Sequence, residues 1–274
     1  MGVAIRGAQR SNDLVHIQSA DEPRVLLCLL GSFRLLRLGK AIPVRAGGKT
    51  ELLLAELALR EGYSVQRETL VCTLWPNAET ELANQSLRSL LYSLHRLLGP
   101  ELNGATPVLH DGDGYRLNTQ AGITTDIGQF EALASAGLIR ARAGDAAGAA
   151  LAYADALNVY GGDLCVRTDV HALITQERLR VVYLNLLAWL ADFQLRAERY
   201  EECLDFAQTL LTCEPCREDA HRMLMRCYVR MGQRAHALRQ YKLCASILSS
   251  EFDTSPESST TALFDLARFS PDQV

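Results

Sequence analysis

Residues 65–98, VQRETLVCTLWPNAETELANQSLRSLLYSLHRLL, decide the fold, because they predict two helices around a short polar turn. Pro76 ends the first helix, Val65 to Leu74, since proline cannot continue the backbone hydrogen-bond ladder. A polar turn over Asn77 to Gln85 leads into the second helix, Ser86 to Leu98. This arrangement is typical of a helix-turn-helix, whose second helix enters the major groove of DNA.

The second helix has one apolar stripe and one polar stripe, since residues about 100° apart around its axis separate by type. The leucines on one side are Leu87, Leu91, Leu94 and Leu98, and the polar side holds Gln85, Arg88, Ser89, Tyr92 and Arg96. Guanidinium, amide and hydroxyl groups bond phosphate oxygens and base edges, so the polar stripe is a candidate DNA-reading surface. Arg67, His95 and Arg116 are further DNA-binding candidates. The alternative is that the stripe is only the solvated side of an amphipathic helix.

The flanking segments predict a winged helix. After the second helix, two strand-like runs are joined by the Asp-Gly turn of Asp111 to Gly114, which indicates a β-hairpin. A helix over Thr50 to Arg60 and an antiparallel sheet precede the helix-turn-helix. The predicted sheet strands are Val25–Leu30, Phe33–Leu38 and Ala41–Arg45, and the hairpin strands are Pro107–His110 and Tyr115–Asn118.

The second half of the chain predicts paired helices with an internal repeat. Gly144, Ala149 and Tyr153 recur with the same spacing at Gly232, Ala237 and Tyr241, and Cys203 precedes Ala237 by the 34 residues typical of tetratricopeptide repeats. The predicted pairs are 127–143 with 145–160, 175–197 with 200–212 and 217–231 with 234–250, followed by a closing helix over 257–268. The alternative is a generic helical bundle in which alanine-rich segments resemble each other by coincidence.

These patterns predict a mainly α protein with a small β part in two domains. A winged helix over 23–119 follows a flexible arm, residues 1–22, and an all-α tetratricopeptide-like domain spans 120–274. With 274 residues and 48% hydrophobic composition, the chain can bury a core in each unit. It has no apolar run of about 18 residues and no secretory signal pattern, so we expect a cytoplasmic, nucleoid-associated protein without a membrane partner.

The net charge of −4 is divided unevenly between the halves. Residues 23–119 hold 11 Lys and Arg against 9 Asp and Glu, a net of +2, whereas residues 120–274 hold 15 against 20, a net of −5. A mildly basic domain is expected to bind DNA through a focused patch and through copies placed side by side. The acidic half is expected to contact protein.

Several sequence features that resemble chemical sites lack essential parts. Gly48-Lys49-Thr50 matches the end of a phosphate-binding loop, but Pro43 stands where that loop needs glycine. Cys213 and Cys216, with His221 and Cys227, show part of a zinc spacing without a second matching pair. The sequence contains no nucleophile elbow and no HExxH motif. We therefore expect neither an enzyme nor a cofactor or metal.

The chain resembles the Streptomyces antibiotic regulatory proteins, which join an OmpR-type winged helix to a bacterial transcriptional activator domain. The carriers are Leu29-Leu30-Gly31, Gly47-Gly48-Lys49 with Leu53-Leu54-Ala55, the Val65, Leu70 and Leu74-Trp75 series, Leu87-Arg88 with Leu94, and Gly114-Tyr115-Arg116-Leu117. The sequence departs from the family at His95, usually arginine, and at Val159-Tyr160-Gly161, where tryptophan is common. The resemblance implies binding to direct repeats in promoter DNA, self-association on that DNA and contact with RNA polymerase.

Two other functions are compatible with the residues. A repressor or a ligand-gated regulator could use the same scaffold. Alternatively, the repeats form a protein-interaction adaptor and the winged helix has lost its affinity for DNA, an idea that the low charge and His95 motivate.

Overall fold

The computed structural model describes residues 24–166 and 169–274. The predicted arm, residues 1–22, lies outside these residues. Seven short strands and ten helices are described. The strands are β1 Val25–Cys28, β2 Arg34–Arg37, β3 Lys40–Ala41, β4 Val65–Gln66, β5 Val108–Asp111, β6 Gly114–Leu117 and β7 Ile123–Thr125. The helices are α1 Lys49–Ala58, α2 Arg67–Leu74, α3 Thr80–Leu98, α4 Asp126–Arg142, α5 Ala146–Val159, α6 Val170–Arg196, α7 Tyr200–Cys213, α8 Glu218–Arg230, α9 Arg234–Phe252 and α10 Ser258–Phe269.

The predicted mainly α architecture with a small β part is confirmed. The first half is a winged helix that contains α1, α2, α3 and two small sheets, with strand orders β3-β2-β1-β7 and β4-β6-β5. The predicted meander is present as β1, β2 and β3, and the predicted hairpin as β5 and β6 in antiparallel register. Leu53, Leu70, Leu87 and Leu94 from the three helices are almost completely buried in one core.

Two boundaries around the helix-turn-helix differ from the prediction. Val65 and Gln66 form the strand β4, which pairs with β6, so the first helix begins at Arg67 rather than at Val65. The polar run before Ser86 is helical, and α3 begins at Thr80. Ala83 in that run is fully buried, which shows that the first turns of α3 pack against the core despite their polar composition.

The second half consists of the three predicted helix pairs and the closing helix α10. In each pair the chain turns through a residue with positive φ, namely Gly144, Glu198 and Gly232. Glu198 and Gly232 are 34 residues apart, and their backbone N–H groups donate to Leu195 and Val229, which differ by the same step. The 34-residue step between the second and third helix pairs is therefore also present in the backbone, whereas Gly144 precedes Glu198 by 54 residues.

The two halves are joined by backbone pairing. Strand β7 lies beyond the predicted boundary at residue 119 and pairs in parallel with β1 of the N-terminal sheet. Directly after β7, the Asp126 carboxylate accepts hydrogen bonds from the N–H groups of Leu29 and Leu30, each at 2.9 Å. Burial raises the pKa of this carboxyl, although these hydrogen bonds act in the opposite direction.

A second segment of the helical half also contacts the first half. Leu30 and Leu164 form an antiparallel bridge, and the N–H of Gly31 donates to the carbonyl of Asp163 at 2.8 Å. The guanidinium of Arg60, two residues after the end of α1, binds the Asp169 carboxylate, which caps α6 (Nη2–Oδ2 2.6 Å). One continuous hydrophobic core includes buried side chains from both halves.

Candidate nucleic-acid interface

The outward side of α3 carries five of the predicted DNA-reading residues. Leu87, Leu94 and Leu98 on the opposite side are at most 1% exposed. The exposed residues are Gln85, Arg88, Ser89, Tyr92 and Arg96. These exposures refer to the whole described chain, so neither the wing nor the described helices of the second half cover this surface. The arrangement presents one guanidinium-, amide- and hydroxyl-bearing side of a helix to a partner.

Four polar side chains of the helix that carries this surface bond back to its own backbone. Asn84 Nδ2 donates to the carbonyl of Thr80 at 2.9 Å. The hydroxyls of Ser86, Ser89 and Ser93 donate in the same way to carbonyls four residues earlier. Such i to i−4 bonds give these donor groups an acceptor without a tertiary partner.

Arg67 and Arg116 lie at the wing rather than on α3. A terminal guanidinium nitrogen of Arg67 lies 3.4 Å from Nε2 of His110 in β5, and the Arg67 backbone N–H donates to Asp113 at 3.1 Å. Arg116 Nε lies 3.4 Å from a carboxylate oxygen of Asp111. The Arg67 contacts connect the hairpin to the first turn of α2, whereas the Arg116 contact lies within the hairpin.

His95 is not part of the exposed set. Its imidazole is half-buried at the edge of α3 and lies against the backbone of Gly99. Its Nδ1 is buried and has no hydrogen-bond partner among the described residues. The structure therefore places this side chain between the core and the outward surface.

Lys49 is a residue of this region that the sequence reasoning did not count as a DNA contact. It lines an open groove of about 700 Å³ beside α3, together with Trp75, Leu82, Gln85, Ser86, Ser89, Leu90 and Ser93. In the sequence, Lys49 stood out only in the incomplete phosphate-loop pattern Gly48-Lys49-Thr50 and in Gly47-Gly48-Lys49, a carrier of the family resemblance. Its position beside α3 depends on how α1 packs, and the sequence alone does not reveal that packing.

Comparison with known proteins identifies the helical half. A family model described as "Bacterial transcriptional activator domain" matches residues 125–266, more than half of the chain. The chain belongs to the bacterial transcriptional activator domain family. This family consists of transcriptional regulators and is not a class of enzymes.

Two proteins resemble this activator-domain protein over a longer part of the chain, which includes the winged helix. Regulatory protein AfsR of Streptomyces coelicolor is 28% identical over 232 residues, which are 81% of this chain and 23% of AfsR. The chain thus spans about a quarter of the length of that relative. Mycobacterium tuberculosis EmbR, solved in complex with a low-affinity phosphopeptide, shares the fold with a TM-score of 0.75 and 23% identity, over 90% of this chain and 65% of EmbR. The resemblance to the Streptomyces antibiotic regulatory proteins is confirmed.

The partial zinc spacing in the activator domain has a structural explanation. His221 is buried, its Nε2 lies 2.9 Å from the carbonyl of Pro215, and its Nδ1 lies 2.7 Å from Nε2 of Gln240. Both ring nitrogens are therefore engaged, and burial lowers the pKa of the imidazole. Within residues 24–166 and 169–274, no cluster of three potential metal-ligating side chains occurs. Among the helices described there, none has both the length and the apolarity to cross a membrane.

Proposed function

We propose that this activator-domain protein is a sequence-specific DNA-binding transcriptional activator. Helix α3 would lie in the major groove, and the β5–β6 hairpin would contact an adjacent minor groove or the backbone. The observation that carries the proposal is the outward side of α3, where exposed groups suited to bases and phosphates stand opposite fully buried leucines.

Activation is proposed to require a second partner and more than one copy of the protein. A net charge of +2 on the winged helix gives a single copy little non-specific affinity, so adjacent copies on promoter direct repeats would add their contacts. The helical half, with a net charge of −5, would contact RNA polymerase and neighbouring copies rather than DNA. Family membership supports this direction of regulation, and the protein would act at the nucleoid.

DNA binding is tested with duplexes selected from a random pool by the full chain, followed by fluorescence anisotropy at several salt concentrations. We expect Arg88→Ala to weaken binding to the selected duplex by about 1–3 kcal/mol if the side chain contacts bases. The matched control is Arg239→Ala, which removes an exposed arginine from α9 in the other half. Failure of the wild-type chain to select or retain any duplex would support the adaptor alternative instead.

The direction of regulation is tested by transcription in vitro with purified RNA polymerase on templates that carry the selected site. We expect more transcript with the protein than without it, and no increase when the site is scrambled. A decrease would identify a repressor. Templates with one or two copies of the site separate the direct-repeat model from binding as a single unit, because only the former predicts cooperative occupancy.

A further inference from the structure

We infer that Lys49 binds a DNA backbone phosphate on one wall of the major groove that α3 occupies. The inference rests on the proposed DNA binding and adds a contact outside the helix-turn-helix. Lys49 is the first residue of α1, yet it shares the groove beside α3 with Gln85 and Ser89 of the outward surface. A cation from a different helix is thus placed next to the side chains proposed to meet bases.

The position of the Lys49 ammonium is fixed by its neighbours. Its Nζ lies 6.0 Å from the centroid of the Trp75 ring and donates a hydrogen bond to the carbonyl of Leu74 at the end of α2. An ammonium has three N–H donors, so this bond leaves two for a ligand. The side chain is exposed, and the groove in front of it is open to solvent. The cation is therefore held in place before any ligand arrives.

The angular arrangement around α3 indicates which part of DNA it meets. At about 100° per residue, Gln85, Ser89, Tyr92 and Arg96 define the outward direction. Leu82 and Ser93 of the groove that Lys49 lines lie to one side of that direction, and Arg88 lies to the other. A helix with side chains is about 10–12 Å wide and the major groove about 12 Å, so phosphates flank the helix on both sides. Lys49 is thus positioned at one wall of the groove, on the side of α3 away from Arg88.

The segment that leads to Lys49 along the chain is basic. Residues 24–50 contain six Lys and Arg and no Asp or Glu. The next acidic residue, Glu51, accepts a hydrogen bond from the N–H of Gly47 at 2.8 Å and so caps the start of α1. An ammonium acts on phosphates as a point charge and does not select a base. The contact is therefore expected to add affinity without sequence preference.

The test compares Lys49→Met, which removes the charge while keeping an apolar stem against Trp75, with Lys49→Arg, which retains a cation. Lys242→Met in α9 is the control for loss of an exposed lysine. Anisotropy titrations use the selected duplex and a scrambled duplex. At about 0.1 M salt we expect Lys49→Met to weaken binding to both duplexes equally, by about fivefold to tenfold, and to reduce the slope of log K against log salt by about 0.9. Lys49→Arg should bind within about twofold of the wild type.

Two outcomes would overturn the inference while leaving DNA binding intact. Lys49→Met could bind both duplexes as tightly as Lys242→Met, or it could weaken only the selected duplex, which would make Lys49 a base contact. Far-ultraviolet circular dichroism and thermal unfolding of each variant establish that the fold is retained, and Lys49→Arg supplies a second comparison if Lys49→Met unfolds. If the wild-type chain binds neither duplex, the proposed function fails together with this contact.

Discussion

Gly31 shows how one residue allows the two halves to meet. Its φ is +82°, and a Cβ built at this position would lie 2.5 Å from the carbonyl oxygen of Gly161. Gly161 in turn lies against the carbonyl of Leu30. The two backbones approach as closely as they do because neither residue has a side chain at this point.

We predict that Gly31→Ala lowers the free energy of unfolding by about 3 kcal/mol, since it combines a left-handed backbone with a clash against immobile main chain. Gly39→Ala is the matched control, because Gly39 also has positive φ (+75°) but has no atom within 4 Å of the added Cβ. That control should cost only about 1 kcal/mol. Urea denaturation measures both, and equal losses would show that the close approach contributes nothing.

Glu198 occupies the turn position that glycine holds in the other two helix pairs. Its φ is +57°, a conformation that costs an ordinary residue about 1–2 kcal/mol. We predict that Glu198→Gly stabilises the chain by about 0.5–1 kcal/mol, because added chain entropy in the unfolded state offsets part of the gain.

The reverse change, Gly232→Glu at the equivalent turn, tests the same argument with the opposite sign. It should destabilise the chain by a comparable amount, and both are measured by thermal or urea unfolding. A Glu198→Gly variant less stable than the wild type would mean that the Glu198 side chain contributes more than its backbone strain costs.

At the level of helices and strands, the sequence was most informative where periodicity was strong. The internal repeats predicted the helix pairs of the second half, and the leucine spacing predicted which side of α3 is buried. The start of α3 at Thr80 was missed because Glu81, Asn84 and Gln85 are polar and resemble a turn. The pairings of β4 and β7 were missed since strands of two or three residues depend on partners distant in the sequence.

The arrangement of the candidate DNA-binding residues was also predicted only in part. Five residues on α3 share one exposed surface as expected, because a single helix fixes their relation. Arg67, Arg116 and Lys49 lie on other elements, so only the packing of α1, α2 and the hairpin determines which of them stands beside α3. The half-buried position of His95 depends likewise on the chain reversal that follows α3.

The true start of α3 gives a prediction for two proline variants. Thr80→Pro places proline at the first helical position after Glu79, whose backbone is extended (φ −61°, ψ 137°), and should leave stability within about 0.5 kcal/mol. Asn84→Pro removes a hydrogen bond inside the helix and should cost about 3 kcal/mol. Urea denaturation distinguishes them. If Asn84→Pro were also tolerated, the helix would begin near Ser86, as the sequence alone suggested.

On the scale of the whole molecule, contacts between the winged helix and the helical half join them around one hydrophobic core. The Asp126 carboxylate, the bridge between Leu30 and Leu164 and the Arg60–Asp169 ion pair all cross between the halves. Since β7 and the segment before α6 pair with the same strand region, rotation of one half would break several buried hydrogen bonds together. The orientation of the activator domain relative to α3 is therefore part of the fold.

This coupling predicts a single cooperative unfolding transition that the two tryptophans can report separately. Trp75 lies in the winged helix and Trp189 in α6, so Trp189→Phe leaves a probe of the first half and Trp75→Phe a probe of the second. In each variant, the urea transition seen by fluorescence should coincide with that seen by far-ultraviolet circular dichroism.

Asp126→Ala leaves two buried N–H groups without their acceptor and should lower the stability reported by both probes by about 2–3 kcal/mol. Asp155→Ala, an exposed change on α5, controls for loss of a carboxylate. A Trp75 signal that changes at lower urea than the helical signal would show that the halves unfold independently and that the activator domain can reorient on DNA.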